Sequence, residues 1–306
     1  MPDRGAPSGA QVELLHGDQR AVIVEVGGGV REYTAGGEAV LDGYAEHERC
    51  RSGRGQILAP WPNRLRDGSY EWAGERHQLA LSEPPLRNAI HGLVRFANWG
   101  VGERTASHVA MEHVLHPQDG YPFALALSAA YRLDDRGLTV LTTATNIGTT
   151  SCPYGIGAHP YLTAGTETID ECVLHAPAAR RLVSDERSIP TGLVEVAGTA
   201  YDFREPRAIG TTMLDTGYCE LLRDADGCAR VTLHAPSSGR RVTLWLDEHH
   251  PYLMLFTGDT LPADRRRRGL AVEPMTCAPN AFGSGDGLLT LRPGESFTSA
   301  WGIEPR

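Results

Sequence analysis

Lysine is missing from this sequence altogether: all 29 basic residues among its 306 are arginine. That absence excludes Schiff-base chemistry, a lysine general base and a Walker-type phosphate lysine. Acidic residues outnumber basic ones, leaving a formal net charge of −9, which argues against nucleic acid or an anionic membrane as the main partner. No Cys-x-x-Cys pair occurs among Cys50, Cys152, Cys172, Cys219, Cys228 and Cys277, so in a chain this long they read as reduced thiols and not a disulfide framework. The longest apolar run, around Phe123 to Tyr131, is far too short to span a bilayer. Residues 1–10 are polar, lack the apolar centre of a signal peptide and predict a disordered tail. These features predict a soluble cytoplasmic protein, a monomer or homodimer, with one domain over residues 11–306.

Long amphipathic helices are lacking too, because 35 glycines and 20 prolines interrupt every helical spacing. What remains is a succession of strand-length segments. Gln11 to Leu15, Ala21 to Val26, Val109 to Leu115, Phe123 to Leu133 and Leu138 to Asn146 come first, with a hairpin around Ala73-Gly74. Arg241 to Leu246, Tyr252 to Phe256, Gly269 to Glu273 and Ser296 to Trp301 follow, separated by turn pairs such as Asp226-Gly227 and Pro293-Gly294. The texture predicts an all-β fold, a large antiparallel sandwich or barrel. In such a fold a site is assembled from strands far apart in sequence, so its chemistry should appear as separated motifs.

Five motifs stand out. Pro60-Trp61-Pro62-Asn63-Arg64 frames a flat aromatic and a forked donor, which suit a polyhydroxylated ligand; it reads equally as a rigid loop around a half-buried Trp. Asn88-Ala89-Ile90-His91-Gly92 sets a glycine after a histidine, allowing close backbone approach. Tyr154-Gly155-Ile156-Gly157-Ala158-His159-Pro160-Tyr161 holds a histidine on a proline-stiffened backbone between aromatic rings. Alone, His159 is a structural histidine beside a turn. Leu214-Asp215-Thr216-Gly217 reads as a carboxylate in a turn, and Ala271-Val272-Glu273-Pro274 ends an apolar strand on a glutamate, costly there unless paired or functional.

In this order the motifs resemble the aldose 1-epimerases, the galactose-mutarotase-like family, over nearly the whole chain from Val22 to Ile303. The wording around Trp61, His91 and Glu273 is most similar to the bacterial branch that contains sulfoquinovose mutarotases. The resemblance implies a β-supersandwich and a cofactor-independent isomerase, with no metal and a small sugar as its partner. It implies that His159 is the general acid, that Glu273 is the general base, and that His91 orients the sugar near its ring oxygen. Arg64, Asn63 and Asp215 would then hold hydroxyls, with Trp61 and Tyr161 beside the sugar ring.

Anomer exchange asks for such a set. The C1 hydroxyl is deprotonated while the ring oxygen is protonated, the ring opens to an aldehyde, C1 rotates, and closure reverses the transfers. The acid must be protonated and the base ionised at one pH, which predicts a histidine of raised pKa facing a glutamate. The same pair serves a pathway-specific substrate, and a sugar-binding protein without turnover shares the fold. A glycoside hydrolase would instead use Asp215 and Glu273 as paired carboxyls. His249-His250 lacks metal-ligand spacing and reads as a solvated loop. The run Arg265 to Arg268 reads as an exposed loop or, if it reaches the site, as a contact for a sulfonated or phosphorylated sugar.

Overall fold

Strand burial follows the side-chain period of two. Along Leu125–Asp134 every second residue, from Leu125 to Leu133, is buried, and its partner Gly137–Asn146 repeats the pattern from Leu138 to Asn146. The two pair in register from Leu125↔Asn146 to Asp134↔Gly137. A computed structural model describes residues 5–306. Among them the only α-helix is the four-residue turn Ala281–Ser284, and no helix is long and apolar enough to cross a membrane.

Two large antiparallel sheets form the sandwich. The nine-stranded sheet runs Gly100–Arg104, His108–Leu115, Leu125–Asp134, Gly137–Asn146, Ser296–Pro305, Arg241–Leu246, Ala229–His234, Val173–His175 and Arg207–Ala208. The eight-stranded sheet is built around Leu270–Met275, with Pro190–Glu195, Ala178–Ser184, Asp215–Leu221 and Tyr252–Phe256 on one side. The short strands Gly157–Ala158, Tyr161–Leu162 and Ile57–Leu58 lie on the other. One cluster of buried apolar side chains runs from Val12 to Ile303 and draws on both sheets. A four-stranded N-terminal sheet, Gln11–His16 to Glu38–Ala39, joins the larger sheet through Leu15 N–H to Ala106 O and the Tyr131 hydroxyl to Gly28 O.

Three expectations change. Within residues 5–10 Ser8 is buried and its carbonyl accepts from Val26 N–H, so these residues are not a tail; residues 1–4 lie outside the described residues. Asp215 is not in a turn: it opens the strand Asp215–Leu221, paired from Asp215↔Phe256 onward. The interior glycine and the leading carboxylate disguise a strand that packing on both sides enforces. Asp247 to Pro251 is not simply solvated either. His249 is exposed, but His250 is 1% exposed, and its Nδ1 lies 2.8 Å from Asp247 Oδ1 while Asp247 Oδ2 accepts from Ala300 N–H.

That Asp247 hub ties the loop to the last strand. Asp247→Ala leaves an imidazole and an inward N–H without partners and is expected to cost about 2–3 kcal/mol in urea denaturation. His249→Ala, on the exposed side, should stay within about 0.5 kcal/mol of wild type.

Candidate active site

Register brings the two principal residues together. Gly157 pairs with Met275 and Tyr161 with Ala271, so His159, in the gap between those pairs, falls opposite Glu273. On the other edge Met254 pairs with Glu273. Every residue of Leu270–Met275 is buried, so a carboxyl on this strand is dry whichever face it occupies. His159 Nε2 lies 3.3 Å from Glu273 Oε1. The other atoms of the pair, His159 Nδ1 and Glu273 Oε2, are buried without a hydrogen-bond partner. Gly53 closes over the imidazole in the left-handed region, at φ +73, where a Cβ would fall 2.6 Å from His159 Cδ2; only glycine fits both demands.

His91 stands edge-on to His159, ring centroids 5.3 Å apart. Its backbone has φ +62 and that of Asn63 φ +54, uncommon for residues with a Cβ. The two segments hold each other: His91 N–H donates to Asn63 O at 2.8 Å and Asn63 N–H donates to His91 Nδ1 at 3.1 Å. Gly92 follows at φ +69, its α-carbon so close to Ala59 that a Cβ would meet the Ala59 carbonyl oxygen at 2.0 Å. Because Nδ1 accepts, the His91 proton sits on Nε2, and His91 is a donor. The His91, His159 and Glu273 side chains bring ligand-type atoms within 4.8 Å of one another, yet metal binding through His91 Nε2 would force Nδ1–H against Asn63 N–H. The trio is furnished for hydrogen bonding and proton transfer.

These residues line a pocket of about 310 Å³ together with Arg64, Arg95, Tyr161 and Asp215. Arg64 is held by Glu83, Nε to Oε2 at 2.9 Å and Nη2 to Oε1 at 3.1 Å, and its Nη1 lies 3.8 Å from Asp215 Oδ2. Burial works against the Arg64 charge, but the Glu83 bonds and the neighbouring carboxylates hold it above the ordinary arginine value. Glu83 also accepts from Asn88 Nδ2. The motifs did not single it out; its one signal is an acid set before Pro84-Pro85.

Sequence reasoning also passed over Arg95 as a site residue. It lines the pocket with no carboxylate in ion-pair range among the described residues; its Nη2 reaches Ile90 O at 3.3 Å. Trp61 is not in the pocket: it is 3% exposed and packs on Phe282 at 5.5 Å in the core. Asn63 lines the pocket, but its Oδ1 accepts from Arg64 N–H. None of the run Arg265 to Arg268 lines it. Arg265 binds Glu48 and Gly43 O, and Arg267 binds Asp170, Asp259 and Gly210 O.

The expected raised His159 pKa is reversed. Burial pulls the imidazole down, to about 3, with Arg95, Arg54 and Arg64 adding to the effect. Burial, followed by the Asp215 charge, pushes the Glu273 carboxyl well above its usual range. Burial, with His159 and Arg95 behind it, also depresses His91. Both shifts favour a neutral imidazole and a protonated carboxyl over the charged pair. That state has the same proton count as imidazolium against carboxylate, one transfer away across the 3.3 Å contact.

An all-β sandwich that buries an imidazole–carboxyl pair at the head of a polar pocket defines the class of galactose-mutarotase-like isomerases. The chain belongs to the aldose 1-epimerase family, whose sequence model matches residues 10–304. It is 37% identical to the Escherichia coli protein YihR over 94% of this chain and 91% of YihR. It is 27% identical to mouse galactose mutarotase over 78% of this chain and 71% of that protein. Its fold matches the GalM/aldose epimerase homologue of C. elegans at a TM-score of 0.87 and 18% identity, covering 97% of this chain and 98% of that one.

The Glu273 proton is visible in stability. Above about pH 4.3 the unfolded chain has ionised this carboxyl while the native state retains its proton. Native stability therefore falls as pH rises through the native pKa. Glu273→Gln removes that loss, so its melting temperature should equal wild type near pH 4 and exceed it increasingly toward pH 8. An offset that stays constant across this range would mean that the native carboxyl ionises like an exposed one.

Proposed function

We propose that the protein interconverts the α and β anomers of a free or substituted hexose by acid–base ring opening. The observation that carries this reading is the buried contact of His159 Nε2 with Glu273 Oε1. Two general acid–base groups meet at one pocket beside a fixed donor, His91 Nε2–H. In the reacting complex the sugar hydroxyls hydrogen-bond the charged forms and favour the imidazolium–carboxylate arrangement. Glu273 then takes the C1 hydroxyl proton as the C1–O5 bond breaks and a C1=O bond forms. His159 delivers its proton to O5, and His91 donates to the same oxygen or to its neighbour. Rotation about C1–C2 and reversal of both transfers give the other anomer, with the proton inventory of the pair restored. Arg64, neutralised by Glu83 and Asp215, supplies hydroxyl donors without excess charge.

A second observation narrows the substrate to a hexose with an anionic substituent, such as a sulfonate on C6. Arg95 has no carboxylate partner, and its guanidinium and that of Arg49 both lie against Phe96, at 5.3 and 5.2 Å. Arg49 has no carboxylate in ion-pair range among the described residues either. Burial, and the like charge of Arg49 behind it, depress the Arg95 pKa. A partly buried cation beside a second unpaired cation lacks the counter-charge that a ligand's anion would bring. A loop sequence after the His91 motif thus sets substrate preference, in place of the distant arginine run.

His159→Gln and Glu273→Gln are each expected to slow anomerisation by ~10²–10⁴-fold, followed by polarimetry or exchange NMR on freshly dissolved α-sugar. Wild-type rates in either variant sink the acid–base assignment. Arg95→Met should raise KM for a C6-sulfonated hexose at least about tenfold, equivalent to ~1.4 kcal/mol. KM for glucose or galactose should move little, and equal effects on charged and neutral sugars would remove the anionic reading alone.

A further inference from the structure

Behind His159 lies a column of planar groups. The Tyr161 ring stacks on the imidazole, 5.0 Å between centroids and 13° from parallel. The Arg54 guanidinium lies 4.4 Å over the Tyr161 ring. The two plates beyond His159 are each anchored by hydrogen bonds. Arg54, 5% exposed, donates from Nη2 to Asp42 Oδ2 at 2.9 Å and from Nε to Asp42 O at 3.2 Å. Asp42 N–H donates to Tyr161 O, and the Tyr161 hydroxyl donates to Ser52 O. Gly55 N–H donates to His159 O and His159 N–H to Gln56 O, so the segment carrying Gly53 and Arg54 grips both the ring and the backbone of His159.

An imidazole has one free rotation about its Cβ–Cγ bond that would swing Nε2 off Glu273. Nδ1 has no hydrogen-bond partner to stop it. Ring contacts restrain that rotation: Gly53 and Tyr161 against its faces, and His91 packed edge-on. The guanidinium is the cationic layer of the column, and it touches the ring that touches His159. We propose that Arg54 and Tyr161 are positioning residues for the proton transfer. Tyr161 fixes the imidazole plane so that Nε2 stays on Glu273, and Arg54 clamps the Tyr161 ring from its other side. Arg54 does not line the pocket and acts through Tyr161. The other groups facing His159 are Glu273, His91, Arg64 and Arg95. Arg64 and Arg95 approach from the pocket side, where substrate will meet them, whereas Arg54 is fixed whether or not sugar is present.

The proposal rests on His159 as the acid, so His159→Gln is measured alongside. The test is kcat and KM of anomerisation for Tyr161→Leu, Tyr161→Phe and the double variant Arg54→Met with Asp42→Asn, which leaves no buried charge unpaired. Tyr161→Leu should lose roughly ten- to a hundredfold in kcat, the scale of a misplaced reacting group, with KM within about threefold. Tyr161→Phe, which keeps the ring, should recover most of that loss. The double variant should lower kcat in the same direction as Tyr161→Leu, with KM again within about threefold, because the clamp on the Tyr161 ring has gone. Wild-type kcat in Tyr161→Leu and the double variant, with only a lower melting temperature, would overturn the proposal and leave the column as packing. If Tyr161→Leu does not fold, Arg54→Lys keeps the charge and loses the planar plate, and an undiminished kcat there overturns it equally. An active His159→Gln removes the acid assignment, and the positioning role falls with it.

Discussion

The buried contact between an imidazole and a carboxyl is the constraint on which the rest of this structure depends. His159 and Glu273 meet at 3.3 Å, the carboxyl on a strand whose every residue is buried. Burial disfavours the charge on each group, lowering the imidazole and raising the carboxyl. Burial that lowers an imidazole and raises a carboxyl is usually described as two separate perturbations. Here the two shifts share one cause, burial, and both favour a neutral pair.

The scaffold keeps that contact in place. The central strand of the eight-stranded sheet sets Glu273, and the interruption between Gly157–Ala158 and Tyr161–Leu162 sets His159 across from it. Asn63 and His91 occupy the left-handed region and hydrogen-bond each other, which fixes the His91 tautomer without any further residue. Strain of this kind persists only where surrounding packing over-determines it, and the core from Val12 to Ile303 provides that packing. Charge is arranged with similar economy: Arg64 is neutralised before substrate arrives, and Arg95 is not.

The all-β architecture was legible because alternation and turn residues report directly on strands, as Leu125–Asp134 and its partner show. His159, Glu273, His91, Arg64 and Asp215 were legible as a set because their short motifs keep chain order, and the pocket gathers all five. The misreadings share a cause. Trp61 between prolines looked like a sugar platform, but its face is taken by Phe282. Four consecutive arginines read as an exposed loop, or as an anion contact if they reached the site, but Arg265 and Arg267 are tied to carboxylates brought from elsewhere in the chain. Glu83 and Arg95 were passed over because their meaning lies in a partner gained or a partner lacking.

The sequence by itself determined the residue types available for proton transfer, the strand texture that carries them and the absence of lysine chemistry. Only the tertiary structure decided the protonation of His159, which reversed the expected direction. A pKa depends on the dielectric and the charges within a few ångströms, and those neighbours are contributed by Arg54, Arg64, Arg95 and Glu273 from four separate stretches of chain. Register across the strand gap, not proximity in sequence, puts the imidazole against the carboxyl.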